Sequence, residues 1–211
     1  MKKIIRRWRD DRDVSRYIEA REWGTAWVAW QQASTLTELG ELTAQWLEGT
    51  VSCLPMYIGA PAPETKPLIG HLAAYNRRGY VTHQSQPGTP SRDGWAQRAW
   101  VHGFGTAELA DRIESALLDN DLIVCTTPPG GDNPTRICVT VNDGRAYTIG
   151  GAMRASYLAE QYREEIPAAL PALLNAWQIE VIDPVWGRND LLWQRLDRVL
   201  PARYAPQAVM S

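Results

Sequence analysis

Between Asn76 and Phe104 the chain sets amide, hydroxyl, imidazole and guanidinium side chains close together: Asn76, Thr82, His83, Ser85, Gln86, Gln97, Arg98 and His102, with the rings of Tyr80, Trp95 and Trp100 among them. A carboxamide donates and accepts at once, which suits the edge of a nucleobase or an amide. Arg98 offers a planar fork for phosphate or carboxylate, and the aromatic rings offer faces for stacking. For catalysis the candidate bases are His83 and His102, with Arg98 steadying negative charge. That chemistry requires a histidine within hydrogen-bond reach of Thr82, Ser85 or Gln86.

Two further constellations could hold an anion. Asp183-Pro184-Val185-Trp186-Gly187-Arg188-Asn189-Asp190 joins an expected strand to an expected helix, so Arg188 could reach an anion near a helix start capped by Asn189 or Asp190. Gly150-Gly151-Ala152-Met153-Arg154 has the same strand-to-helix character, and its backbone amides, with Arg154, could admit a phosphate. The ligand-binding candidates are therefore Asn76, Tyr80, Thr82, Ser85, Gln86, Gln97, Arg98, Arg154 and Arg188. No phosphate loop, HExxH pair, nucleophile elbow or dinucleotide fingerprint competes with them. Cys53, Cys125 and Cys138 lack CxxC spacing, and His71, His83 and His102 have no spacing that forces a metal site. No metal or other cofactor is expected.

These residues need elements to position them. Tyr80–Gln86 and Gln97–Phe104 read as strands on either side of a loop holding Pro87, Gly88, Pro90 and Gly94. On the first strand, alternation sets Tyr80, Thr82, Gln84 and Gln86 on one face and Val81, His83 and Ser85 on the other. The Pro87-Gly88 pair would let backbone approach a bound group closely. Thr35 and Glu38 form a capping box ahead of Leu36, Leu39, Leu42, Trp46 and Leu47, a helix closed by Gly49. Residues 50–63 read as a loop, and helices are expected from Glu64 to Gly79 and from Thr106 to Asp119. Leu122–Thr126 is a short buried strand, and Asn142-Asp143-Gly144 turns a hairpin of Ile137–Val141 with Ala146–Ile149. Helix resumes from Arg154 to Trp177, broken near Pro167 and Pro171, before a strand at Gln178–Ile182 and a helix at Asn189–Val199. Hairpins without regular βαβ repeats predict an α+β fold: a mixed, mainly antiparallel sheet flanked by helices. One domain over 33–200 is expected, preceded by a helical extension over 1–32 and followed by a tail over 201–211.

The whole chain is unexceptional in composition: 211 residues, 45% hydrophobic, 22% charged, with a formal charge of −2. A nucleic-acid partner is disfavoured, because such binders carry a basic excess. No apolar run is long enough to span a membrane, and MKKIIRRWRDDRD lacks the apolar stretch of a signal peptide, so a cytoplasmic location is expected. Trp23, Trp27 and Trp30 share one helical face, suited to packing or to a homo-oligomeric contact.

The segment PLIGHLAAYNRRGYVTHQSQPG, followed by WAQRAWVHGF, resembles the signature of an uncharacterised domain family common in actinobacteria, with related motifs in some viral proteins. Its pattern, Gly-aromatic-x-Thr-x-x-Ser-Gln-Pro-Gly, is met by Gly79, Tyr80, Thr82, Ser85, Gln86, Pro87 and Gly88, with Pro67, Leu68, Asn76 and Gln97 alongside. The closing DPVWGRNDLLW is also similar, so the likeness spans residues 33–195. It implies a single domain and brings no reaction with it. The reading is therefore a small-molecule-binding protein with a polar pocket on two adjacent strands and a nucleotide-like or other anionic ligand. The alternatives are a hydrolase or transferase acting on such a ligand, such as an immune signalling nucleotide suggested by the viral likeness, and a tryptophan-rich interaction module.

Overall fold

A computed structural model describes residues 21–118, 121–132 and 134–200. The charged N-terminal run, Asp119 and the 201–211 tail lie outside the described residues, as do the side chains of residues 21–23. The described chain runs α1 (Arg21–Gln32), α2 (Leu36–Leu47), β1 (Cys53–Leu54), β2 (Tyr57–Ile58), a 3-10 turn (Pro63–Leu68), α3 (Ile69–Arg77), β3 (Val81–Gln86), β4 (Thr89–Arg92), β5 (Trp95–Gln97) and β6 (Trp100–Gly105). It continues through α4 (Ala107–Leu117), β7 (Ile123–Thr127), β8 (Ile137–Asn142), β9 (Arg145–Gly150), α5 (Ala155–Tyr162), α6 (Leu170–Leu174), β10 (Trp177–Ile182) and α7 (Leu191–Val199). The class is α+β.

Local chemistry sets several boundaries. The Thr35 hydroxyl accepts from the Glu38 amide while the Glu38 carboxylate accepts from the Thr35 amide, the reciprocal cap that starts α2. Thr106 caps α4 by accepting from Leu109 N, and Asp190 caps α7. The expected Arg154–Trp177 helix is two helices, α5 and α6, with Pro167 in the turn between them and Pro171 in the first turn of α6. Residues 50–63, expected as loop, contain the two-stranded ribbon β1–β2.

Among the described strands every pairing is antiparallel, and there are two four-stranded sheets, ordered β3-β6-β10-β7 and β4-β5-β8-β9. The stretch expected as a loop after Gln86 links them. Thr89–Arg92 is a strand, and its hairpin with β5 closes on Asp93-Gly94, both at positive φ (49° and 79°). Two left-handed residues make the turn whose twist matches antiparallel strands. Asp143-Gly144 repeats the device between β8 and β9. The β3–β4 and β5–β6 strands thus form one long hairpin crossing from the first sheet into the second.

One face of the first sheet, with Val101, Ile179 and Val181, packs against α2, α3, α4 and α7 through Leu47, Leu72, Ile113, Trp193 and Leu196. The other face, with Val81 and Phe104, meets α1, α5, α6 and the turn between α5 and α6 through Trp30, Leu158, Leu173 and Ile166. Trp100, Val139 and Ile182 fill the joint between the sheets. Ala26 and Trp30 belong to this core, and the Trp30 indole donates to the Cys53 carbonyl at 3.0 Å. The described part of the expected extension is therefore built into the domain. No helix among the described residues is long and apolar enough to cross a membrane.

Candidate functional site

The site is organised by one irregularity in β3. Thr82 pairs with Gly103, but Gln84 pairs with His102, Ser85 with Val101 and Gln86 with Trp100, so His83 is an extra residue, a β-bulge. An extra residue inverts the side-chain parity of everything after it. The expected alternation therefore fails beyond Thr82. Gln84 and Gln86 stand opposite His102 and Trp100, while Thr82 belongs with Gly103 on the opposite face. The bulge brings the His83 ring against His102, Phe104 and Tyr162, at centroid distances of 5.7, 6.0 and 6.2 Å.

β3 is an edge strand, and a cavity of about 550 Å³ runs along it. Five consecutive residues, Val81 to Ser85, line the cavity. Trp46 and Tyr57 lie along one side, and Trp100, Thr148, Tyr157, Gln161 and Tyr162 along another. No Asp, Glu, Lys or Arg is among its lining residues. His83 lines the cavity, and its Nδ1 atom, shielded from solvent, has no hydrogen-bond partner. Burial lowers the His83 pKa to about 4; at His102, burial and then the neighbouring His83 lower it to about 3. Both imidazoles are neutral at pH 7.

A row of buried polar groups on the same sheet face holds this arrangement in place. Gln178 Oε1 accepts from Met153 N at 2.7 Å, and its Nε2 donates to Met153 O at 2.8 Å. That fixes the amide, so the His102 Nε2 lying 3.3 Å from Oε1 must carry the proton. Glu180 Oε1 accepts from the Trp100 indole at 2.7 Å and from Gly151 N at 2.9 Å. Burial raises the Glu180 pKa against the pull of those donors. Two strand side chains thus tie down the backbone that leads into α5, the helix carrying Tyr157, Gln161 and Tyr162. Sequence reasoning passed over Gln178 and Glu180; their signal is two polar residues at alternate positions in the apolar strand Trp177–Ile182.

Most candidates named from sequence make bonds within the protein. Asn76 is buried and clamps α3 to β3: its Nδ2 donates to Leu72 O and to Thr82 Oγ1 at 2.8 and 2.6 Å, and its Oδ1 accepts from Thr82 N at 3.0 Å. Tyr80 is fully buried, its hydroxyl aimed at the carbonyls of Ile179 and Val101 at 3.0 and 3.3 Å. Gln86 bridges the sheets, donating to Arg98 O and Val139 O and accepting from Thr140 Oγ1, each at 2.9 Å. Gln97 donates to Pro87 O at 2.8 Å. Arg98 donates to Cys138 O at 3.0 Å, lies 4.2 Å from the Trp186 ring centroid and keeps a buried Nε without a partner. Arg188 donates to Asp183 at 2.6 Å, and Arg154 is exposed at the start of α5.

The close approach expected at Gly88 is made by the protein's own chain: a Cβ there would overlap the Arg188 carbonyl oxygen, and Gly88 N donates to Asn189 Oδ1 at 2.8 Å. Likewise, the Gly151 and Met153 amides are taken by Glu180 and Gln178. Of the nine binding candidates, Thr82 and Ser85 line the cavity, as does His83 of the two histidines; Asn76, Tyr80, Gln86, Gln97, Arg98, Arg154 and Arg188 do not. Buried Cys53 has its thiol pushed up to about 11, chiefly by burial, and burial also raises Cys125, so both stay protonated at pH 7. Among the described residues no cluster of three or more His, Cys, Asp or Glu could hold a metal ion.

Fold and site together define an α+β domain of two joined antiparallel sheets with an uncharged cavity along a bulged edge strand. The chain belongs to the family described as domain of unknown function (DUF6919), which matches residues 26–203. The match begins inside α1, in keeping with the packing of Ala26 and Trp30 into the core. Comparison with curated proteins gave no match.

Proposed function

We propose that this protein binds a small, uncharged, polar molecule in the cavity along β3, a nucleobase, nucleoside or comparable planar amide. The observation that carries the reading is a cavity of about 550 Å³ lined by His83, whose shielded Nδ1 has no partner in the protein. A buried polar atom without a partner costs free energy that a ligand returns, and the volume falls within the range of small-molecule sites. The hydroxyls of Thr82 and Ser85, the amides of Gln84 and Gln161 and the tyrosine rings of α5 supply directional contacts and stacking faces. Because the lining has no lysine or arginine, the anionic ligand expected from sequence gives way to a neutral one. Thr82 Oγ1 is held by Asn76 and Gln86 by Thr140, and His83 Nδ1 has no hydroxyl partner, so binding without turnover is the reading preferred over hydrolysis or group transfer.

Thermal-shift measurements over nucleobases, nucleosides and cyclic amides test it. At least one should raise Tm, and His83→Phe, which keeps a ring but removes the nitrogen, should lose that rise. A panel without a stabilising member, or a shift that His83→Phe retains, contradicts the proposal.

A further inference from the structure

A second groove lies between α4 and α7, with a volume of about 350 Å³ and a lining of Arg112, Ala116, Leu117, Arg195, Arg198 and Val199. It shares no lining residue with the β3 cavity. Among the described residues outside the groove, Arg77 pairs with Glu41 and Glu48, Arg92 with Asp93, and Arg188 with Asp183, whereas Arg78, Arg98, Arg145, Arg154 and Arg163 are in no ion pair. Among the described residues, none of the three groove arginines is in an ion pair, although the chain has 24 acidic residues. The Nε of Arg195 is also buried without a hydrogen-bond partner.

Three guanidinium groups around one groove repel each other, and a buried donor left unpaired costs free energy. Cations near a helix C-terminus are favourable, which accounts for Arg198 in the last turn of α7. It does not account for three arginines from two helices meeting over one apolar floor. An anion relieves the repulsion. We propose that this groove binds a phosphate monoester dianion carried by a small molecule with an apolar body. The arginine forks match phosphate oxygens, two negative charges answer three positive ones better than a single carboxylate does, and Ala116, Leu117 and Val199 receive the apolar part. The site is independent of the ligand proposed for β3.

Phenyl phosphate, inorganic phosphate, benzoate and potassium chloride, titrated at equal ionic strength into the full chain while the arginine Nε–Hε signals are followed by NMR, test the assignment. Phenyl phosphate should move the Arg195 signal saturably and bind more tightly than inorganic phosphate. Arg112→Gln/Arg198→Gln, at two exposed positions, should weaken binding about tenfold or more, whereas Arg77→Gln should leave it unchanged. No saturable shift, the same shift with chloride, or undiminished binding in the double variant would overturn the site. Equal binding of benzoate would overturn the choice of phosphate, and equal binding of inorganic phosphate would overturn the apolar body.

Discussion

A polar side chain on a strand can serve the protein or a ligand, and its hydrogen-bond partners distinguish the two. Asn76 uses both ends of its amide on Leu72 and Thr82, so Asn76→Ala should destabilise the protein by about 2–3 kcal/mol, measured by urea unfolding, because buried partners lose their bonds. A loss below measurement error would contradict the clamp. His83 is the opposite case, with a buried nitrogen and no partner. Its folded pKa of about 4 lies below the ordinary histidine value of 6.5, as does that of His102 at about 3. Below pH 6.5 the unfolded chain takes up protons first, so the stability from these neutral rings is complete above pH 6.5 and drains away toward pH 4 to 3. At pH 5 the loss is about 2 kcal/mol per histidine. Glu180 acts in the opposite sense: its raised pKa favours the folded state below the ordinary carboxyl value of 4.5, a gain lost as pH rises through the folded pKa. Subtraction between variants cancels it. The destabilisation from pH 7 to pH 5 should be about 2 kcal/mol smaller in His83→Phe than in the parent, and an equal change in both would refute the shift.

Elements explain what was legible in the sequence. The Thr35–Glu38 capping box and the Asp143-Gly144 hairpin each depend on residues a few positions apart, and each is present where local chemistry puts it. The bulge at His83 is different. It is defined by pairing with β6, twenty residues on, so no local pattern in Tyr80–Gln86 reveals it, and the face assignments beyond Thr82 fail with it. The Ser85-Gln86-Pro87-Gly88 motif was legible as a special turn but not in its purpose, because the chain that presses on Gly88 comes from residues 187–188. Gly88→Ala should therefore cost about 1–3 kcal/mol or more through overpacking against backbone. Gly70→Ala, in α3 with nothing within 4 Å of the new methyl group, should be neutral or stabilise by up to about 1 kcal/mol. Equal effects of the two on the urea midpoint would contradict this packing.

At the scale of the molecule, the α+β class followed from the order of hairpins and helices, whereas the division into two sheets did not. Gln86, Thr140, Trp100 and Val139 make the joint between the sheets, and the polar candidates gathered there hold the frame. The cavity opens beside that joint, where the edge of β3 meets Thr148 of β9 and the tyrosines of α5. Helix α5 could not be placed there from sequence, because Gln178 and Glu180, which anchor the chain entering it, act over 25 and 29 residues. The most direct test is a high-resolution crystal structure of protein purified from cells without denaturation. The account predicts a bound molecule along β3 with a polar atom within hydrogen-bond distance of His83 Nδ1. A cavity holding only solvent, or one closed by side chains that give Nδ1 a partner from the protein itself, would contradict it.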